Sequence, residues 1–232
     1  MQLQGATVNF LGDSITEGVG ASCTENRYTD VFAREFGLKK VNNYGISGTR
    51  IARQLAGVPG QSWDLDFCMR LEQMDESADA VVVFGGTNDF GHGDAPLGVR
   101  EDRTPDTFWG ACHYMMNGLL TRYVGKPVVI ITPLHRLNED NPRGDRKPRS
   151  VAPLRVYRDI LLETARYYAL PVLDLYAESG IQPANDACRE RLLPDGLHPS
   201  DEGHRLIALR LGRTGGIHGQ FCRSCENYGE GW

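Results

Sequence analysis

Five short apolar runs, alternating with segments that have the spacing of amphipathic helices, constrain the fold more than any other feature of this chain. The runs lie at residues 7–11, 40–43, 80–84, 127–132 and 172–175, and the helical segments at 28–36, 65–74, 107–123, 153–168 and 201–211. The third and fourth runs contain long uninterrupted apolar stretches, which is typical of parallel strands covered on both faces. The alternation predicts an α/β fold, a three-layer α/β/α sandwich around a five-stranded parallel sheet with right-handed crossovers.

The length and the even composition predict one domain. The chain has 232 residues, with no internal repeat and no linker-like change of composition before residue 212. A chain of this length fits one large α/β domain. We therefore expect a single domain over residues 1–212. Residues 213–232 are rich in glycine and lack periodicity, which predicts a disordered tail.

Charge and hydropathy exclude several kinds of partner. The net charge of −5 argues against nucleic acid, since binding to phosphates favours a basic surface. No apolar run approaches the length that spans a bilayer, so we expect no membrane partner. The first six residues lack the basic start and long apolar core of a secretory signal. This indicates a cytoplasmic protein, with secretion after removal of a leader as the alternative. The sequence does not indicate an oligomeric state.

The cysteines do not form a recognisable metal or disulfide pattern. Six are scattered along the chain, and the last two form a lone C-x-x-C, Cys222 to Cys225, with only His218 nearby. A structural zinc site needs four ligands. We therefore expect free thiols and no metal.

A serine follows the first apolar run directly. The run T-V-N-F-L at residues 7–11 leads into G-D-S-I-T-E-G at 12–18, which places Ser14 at the carboxyl end of a strand. In an open α/β sheet this is the edge where ligands bind and reactions occur. The alternative is that Ser14 caps a helix N-terminus, as serine often does after a strand.

Three further polar clusters fall where this fold brings them to the same edge. They are N-N-Y-G-I-S-G at 42–48, G-G-T-N-D at 85–89 and P-D-G-L-H-P at 194–199. His198 can accept the proton of a nucleophilic serine, and Asp195 can orient its ring. The N–H groups of Ser14, Gly48 and Asn88 can stabilise an oxyanion. Two of these motifs also have a purely structural interpretation. The motif at 194–199 can be a turn that caps the last helix, and the one at 85–89 can be a chain reversal at its glycines with an Asx-turn at Asn88.

Together the four motifs resemble the signature blocks of the SGNH hydrolases, also called GDSL esterases and lipases, in the family's order over residues 12–199. The resemblance implies a flavodoxin-like fold and a serine hydrolase without metal or cofactor. It implies that Ser14 is the nucleophile and that Asp195 and His198 complete the triad. It also implies an oxyanion hole formed by Ser14, Gly48 and Asn88.

The substrate is expected to be a small-molecule carboxylic ester with a short acyl chain, with deacetylation of a carbohydrate as one such reaction. A lysophospholipase or acyl-thioesterase of the same family is the alternative. A non-catalytic module that binds a ligand at the sheet edge is the alternative from another class, because fold alone does not determine function.

Four residues and one loop near these motifs also have expected roles. His92, just after the third motif, is expected to line the pocket, and Asp13 and Asp89 to brace loops by hydrogen bonds. His204 is expected to be a surface or packing residue. The loop 134–151 is long and rich in arginine, and loops of this length are usually functional or disordered. It predicts either a mobile rim over the site or a solvated, disordered segment.

Overall fold

A five-stranded parallel sheet forms the middle layer of the fold. A computed structural model of the chain describes residues 3–213, so the predicted tail lies outside the described residues except for Arg213. Within that range the order of the strands is β2-β1-β3-β4-β5, and every neighbouring pair is parallel. The strands are β1 Thr7–Gly12, β2 Lys40–Gly45, β3 Ala80–Phe84, β4 Val128–Ile131 and β5 Val172–Leu173. The predicted fold class is confirmed.

Helices cover both faces of the sheet. The α-helices among residues 3–213 are α1 Ser14–Glu17, α2 Tyr28–Phe36, α3 Phe67–Arg70, α4 Thr87–Gly91, α5 Phe108–Arg122, α6 Leu154–Tyr167, α7 Leu175–Glu178, α8 Asp186–Leu192 and α9 Asp201–Gly212. Helices α5 and α6 contribute to one hydrophobic core, and α2 and α9 contribute to the other.

Strand β3 shows why the sheet needs both layers. Successive side chains of a strand point to opposite faces. Val81 and Val83 belong to the core with α5 and α6, whereas Val82 and Phe84 belong to the core with α2 and α9. All of these side chains are buried. A continuous apolar run therefore matches a strand that is buried on both faces.

The structure differs from the sequence prediction in its short helices. The helix predicted at 65–74 is α3 followed by a 3₁₀ turn, Leu71–Gln73. Helices α1, α4, α7 and α8 were not predicted, because four to seven residues are too few to show a helical period. Two of them, α1 and α4, directly follow β1 and β3 and carry Ser14 and Asn88.

His204 on α9 is a packing residue. It is fully buried, and its ring stacks on that of Tyr28 with the ring centroids 6.3 Å apart. The packing interpretation of His204 is thus confirmed, and the surface interpretation is wrong. No helix among residues 3–213 has the length and apolarity required to cross a membrane.

The register of the sheet aligns the carboxyl ends of three strands. Gly12, the last residue of β1, pairs with Gly45 of β2 on one side and with Phe84 of β3 on the other. The segments that leave β1, β2 and β3 therefore start side by side, with the one that carries Ser14 in the middle.

Candidate active site

Ser14 is the first residue of α1, directly after the sharp turn at the end of β1. A Cβ at Gly12 would lie 2.0 Å from Oγ1 of Thr16, so only glycine fits this turn without rearrangement. Asp13 is the N-cap of α1, and its carboxylate accepts the backbone N–H of Ile15 at 3.0 Å. The alternative in which Ser14 caps the helix is therefore wrong, and the hydroxyl of Ser14 is available to another partner.

That partner is His198, which lies in the loop before α9. Its Nε2 is 3.0 Å from Oγ of Ser14, and its Nδ1 is 2.7 Å from Oδ2 of Asp195. Oδ1 of Asp195 also accepts the backbone N–H groups of Leu197 and His198. The D-x-x-H turn thus holds both side chains in one arrangement. Ser200 caps α9, so the capping interpretation of this loop and the catalytic one are compatible.

The hydrogen bonds around Asp195 determine which nitrogen of the His198 ring carries the proton. Burial raises the pKa of the Asp195 carboxyl, but hydrogen bonds from the backbone and ring of His198 outweigh burial and leave the pKa below its usual value. An ionised carboxylate only accepts hydrogen bonds, so Nδ1 of His198 carries the proton. Nε2 is then free to accept the proton of the Ser14 hydroxyl. A serine hydroxyl next to an oriented base is the arrangement that makes serine a nucleophile.

Gly48 and Asn88 flank Ser14 on the neighbouring segments. Gly48 lies in the loop after β2 with φ of 77°, in the left-handed region that favours glycine. Asn88 is the second residue of α4 and is buried. Among residues 3–213, no acceptor pairs with the backbone N–H of Ser14 or of Gly48. Both groups remain able to donate to a bound molecule.

The carboxamide of Asn88 has partners on both of its sides. Its Nδ2 donates to the backbone oxygen of Thr49 at 3.0 Å, and its Oδ1 lies 3.2 Å from Nε2 of His92. Nδ2 carries two hydrogens, and one of them has no acceptor among the described residues. The side-chain oxygen is engaged with His92, so the Asx-turn alternative does not describe Asn88.

Arg50 connects the loop of Gly48 with His92, the residue that follows α4. It is 4% exposed. Its Nη1 lies 3.3 Å from both the backbone oxygen of Gly48 and Nδ1 of His92. Its Nη2 donates to Oδ1 of Asp64 at 2.8 Å. Burial lowers the pKa of Arg50, and nearby carboxylates including Asp64 oppose that effect.

A cleft opens beside Gly48. We call it the Trp63 cleft; its volume is about 420 Å³, and it is lined by Gly48, Arg50, Gln54, Ala56, Trp63, His92 and Asp94. The guanidinium of Arg50 lies 5.6 Å from the ring centroid of Trp63. His92 also borders a second cavity of about 770 Å³, whose walls include apolar residues such as Leu97, Val151 and Tyr157. The structure thus places His92 at a cleft next to Gly48.

Asp13 and Asp89 brace the loops around the site. Asp13 caps α1, and the carboxylate of Asp89 accepts the backbone N–H groups of Ile51 and Ala52 at 3.0 and 2.9 Å. Both carboxyls are buried. Burial raises the pKa of Asp13 to about 7 and that of Asp89 to about 6. The structural role expected of both residues agrees with these contacts.

The loop 134–151 packs under α4 through two of its cations. Nζ of Lys147 donates to the backbone oxygen of Asp89 at 2.6 Å, and Nη1 of Arg136 lies 3.4 Å from the backbone oxygen and from Oγ1 of Thr87, the first residue of α4. Nη2 of Arg136 donates to both carboxylate oxygens of Asp145, within the same loop, at 2.6 and 2.8 Å. Arg136 and Lys147 are only 8% and 7% exposed. The solvated interpretation of the loop is therefore wrong for these two residues, while mobility of the rim stays a prediction.

Sequence reasoning missed Arg50 and Asp64. Arg50 lies two residues after the N-N-Y-G-I-S-G motif, and this nearness to a motif is the one signal that could have found it. Asp64 lies in an irregular segment with no pattern of its own. In the part of the chain that the structure describes, no three His, Cys, Asp or Glu side chains group as metal ligands. Cys222, Cys225 and His218 lie outside that part.

Comparison with known proteins gives one family. The family model of the GDSL-like lipase/acylhydrolase family matches residues 10–206. A protein from Lactobacillus plantarum is 30% identical with a TM-score of 0.75, and the match covers 90% of this chain and 95% of that one. No curated protein matches the chain.

More distant solved structures share the fold. A lipase/acylhydrolase from Enterococcus faecalis is 22% identical with a TM-score of 0.61, covering 90% of this chain and 94% of that one. LAE5, an α/β hydrolase from the metagenome of Lake Arreo, is 21% identical with a TM-score of 0.59, covering 94% and 98%. At these identities the likeness concerns the architecture alone.

Proposed function

The chain belongs to the GDSL-like lipase/acylhydrolase family, and we propose on this premise that it is a serine esterase that cleaves small carboxylic esters through a covalent acyl-enzyme. Ser14 is the nucleophile, His198 the general base and Asp195 the residue that orients the base. The hydrogen-bond chain from Asp195 through His198 to Ser14, with distances of 2.7 and 3.0 Å, carries this proposal.

The reaction follows from the positions of the protons. Nε2 of His198 takes the proton of the Ser14 hydroxyl while Oγ forms a bond to the ester carbonyl carbon. The tetrahedral intermediate collapses, the carbon–alcohol oxygen bond breaks, and the alcohol leaves with the proton from His198. Water, activated by His198, then attacks the acyl-enzyme, and Ser14 recovers its proton as the acid leaves.

The oxyanion of each tetrahedral intermediate needs donors that are already in place. We assign this role to the backbone N–H groups of Ser14 and Gly48 and to Nδ2 of Asn88. The strand order supports the assignment, since β1 lies between β2 and β3 and the three donors follow neighbouring strand ends. The lack of an acceptor for the two backbone N–H groups among residues 3–213 also supports it.

The Trp63 cleft supports a small and polar alcohol part. Four of its lining residues, Arg50, Gln54, His92 and Asp94, are polar or charged, and Trp63 adds an aromatic face. Binding sites combine an apolar surface with a few polar groups that orient the ligand. An acetylated carbohydrate has hydroxyl groups for such polar groups and a ring face for the indole, so we propose carbohydrate deacetylation as the finer activity.

The lysophospholipase or thioesterase alternative has one observation in its favour. The cavity of about 770 Å³ borders the Trp63 cleft at Ala56, His92 and Asp94, and part of its wall is apolar. A long acyl chain that passed His92 would enter this cavity and gain from burial of its methylene groups.

Labelling with a fluorophosphonate tests the proposed function. We expect one adduct, located on Ser14 by mass spectrometry of peptides, and none in the variant Ser14→Ala. Ser47 is a matched internal control at the same sheet edge, because its hydroxyl donates to Glu17 and not to a histidine. A folded protein that reacts at no serine would contradict the esterase and favour the non-catalytic binding module.

A further inference from the structure

The carboxamide of Asn88 is held in one orientation by its two neighbours. The backbone oxygen of Thr49 only accepts hydrogen bonds, so the atom 3.0 Å from it must be the amide nitrogen of Asn88. The amide oxygen then faces Nε2 of His92 at 3.2 Å. This oxygen is an acceptor, so Nε2 of His92 must carry a proton to pair with it.

Arg50 requires the same state of the His92 ring. A guanidinium only donates hydrogen bonds, so Nδ1 of His92 accepts from Nη1 of Arg50 at 3.3 Å. A ring whose Nδ1 accepts is neutral and has its proton on Nε2. The contacts on the two sides of the ring thus specify one tautomer independently of each other.

Arg50 is itself fixed. Its Nη2 donates to Asp64 at 2.8 Å, and the Asp64 carboxylate also accepts the backbone N–H of Val58. The Nη1 that faces His92 lies 3.3 Å from the backbone oxygen of Gly48 as well. One buried guanidinium therefore contacts the Gly48 segment directly and reaches Asn88 through His92.

We infer that His92 is a positioning residue for the oxyanion donor Asn88, with its tautomer determined by Arg50. His92 donates to Oδ1 of Asn88 and restrains the carboxamide, so that the free hydrogen on Nδ2 points where the oxyanion develops. Preorganised donors stabilise a transition state more than donors that must reorient. This role rests on the proposed function, because it requires that Asn88 act as an oxyanion donor.

Two substitutions of His92 distinguish its contact with Asn88 from its contact with Arg50. In His92→Gln the amide nitrogen reaches the place of Nε2 and can still donate to Asn88. In His92→Asn the shorter side chain reaches the place of Nδ1 and can accept from Arg50, but it loses the donor to Asn88. The two variants are matched in polarity, and melting temperatures report whether both fold equally well.

The variants are compared by kcat and KM for an aryl acetate, and KM reports any contact of its aryl group with His92 in the Trp63 cleft. His92→Asn lowers kcat about tenfold, part of the roughly 10²- to 10³-fold that one oxyanion donor contributes, and leaves KM nearly unchanged. His92→Gln restores most of the loss. An equal loss in both variants, or a loss in KM alone, would overturn the positioning role.

A double-mutant cycle tests whether His92 acts through Asn88. Residues that act through each other show non-additive effects. In the Asn88→Ala background, His92→Asn should therefore change kcat by less than about twofold. A tenfold loss that persists in this background means that His92 acts on the substrate and overturns the inference.

A wild-type protein without esterase activity refutes the proposed function, and the positioning role falls with it. If the wild type is active and Asn88→Ala is impaired as proposed, failure of the cycle refutes the positioning role alone.

The ¹⁵N spectrum of the histidine rings gives a readout that does not depend on turnover. Desolvation of the ring and the nearby Arg50 lower the pKa of His92 to about 4, although the residue as a whole is exposed. The resonances that disappear in His92→Gln should show a neutral ring with its proton on Nε2 from pH 5 to 8. A ring protonated on Nδ1 in this range would overturn the assignment.

Discussion

The carboxylate of Asp13 caps helix α1 one residue before Ser14, by accepting the backbone N–H of Ile15 at 3.0 Å. The cap removes the need for the Ser14 hydroxyl to bond its own helix, and that hydroxyl faces Nε2 of His198 at 3.0 Å. The two adjacent residues thus divide a structural and a chemical task between them. The cost of this arrangement is a carboxyl group buried at the site.

Asp13 should make stability depend on pH. Burial raises the pKa of its carboxyl from 3.8 to about 7. Between these values the folded chain binds a proton that the unfolded chain has lost, so this group's contribution to stability falls as the pH rises towards 7. Asparagine keeps the acceptor oxygen without the charge. We therefore expect Asp13→Asn to gain stability relative to the wild type between pH 5 and pH 8, by on the order of a few kcal/mol.

Urea unfolding at both pH values measures this difference. The exposed Asp140 provides the control, and Asp140→Asn should follow the wild type at each pH. Parallel stability curves for Asp13→Asn and the wild type would show that the Asp13 carboxyl is ionised in the fold without cost.

Lys147 should contribute to stability through α4. Its Nζ donates to the backbone oxygen of Asp89 from a buried position. Lys147→Met keeps the length of the side chain and removes the donor, so we expect the free energy of unfolding to fall by about 1–3 kcal/mol. Arg149→Met, in the exposed part of the same loop, should change it by less than about 0.5 kcal/mol. Equal effects of the two substitutions in urea unfolding would contradict the buried contact.

Asn88→Ala should separate transition-state stabilisation from substrate binding. If Nδ2 of Asn88 donates to the oxyanion, kcat should fall by about 10²- to 10³-fold while KM changes little. Thermal melting and the final extent of fluorophosphonate labelling at Ser14 control for the loss of the bonds to Thr49 and His92. Near wild-type kcat in a stable variant would show that Asn88 has only a structural role.

A panel of aryl esters with two to twelve acyl carbons should separate the two substrate classes. We expect kcat/KM to be highest at two to four carbons. A pocket for lipid would instead show a rise with chain length, since each buried methylene contributes about 0.8 kcal/mol. An optimum at eight carbons or more would contradict the short-acyl prediction. Ala152→Phe, which narrows the cavity of about 770 Å³, should then impair the long esters selectively.

Much of the fold could be predicted because its strands carry strong local signals. The run at β3 is buried on both faces, and the predicted and observed bounds of that strand are the same. Helix α2 likewise matches its predicted bounds, because nine residues suffice to show an apolar face. Helices α1 and α4 are too short for such a pattern, so the elements that carry Ser14 and Asn88 were seen only as turns.

The site could be predicted where its residues are close in sequence. Asp195 and His198 share one turn, and their spacing already allowed the contact that the structure contains. Arg50 and Lys147 could not be assigned in the same way. Their partners, His92 and Asp89, lie 42 and 58 residues away, and only the packing of loops around α4 brings them together. Long-range contacts of buried cations leave no periodic pattern in a sequence.

The most direct test of the central claim is the kcat of Ser14→Ala for an aryl acetate, measured beside the wild type. The substitution removes one buried oxygen atom at the edge of the sheet, so the melting temperature should change little. We expect kcat to fall by about 10⁴-fold or more and His198→Ala to show a comparable loss, because nucleophile and base act as a unit. A folded Ser14→Ala protein that retains a tenth or more of the wild-type kcat would contradict the acyl-enzyme mechanism.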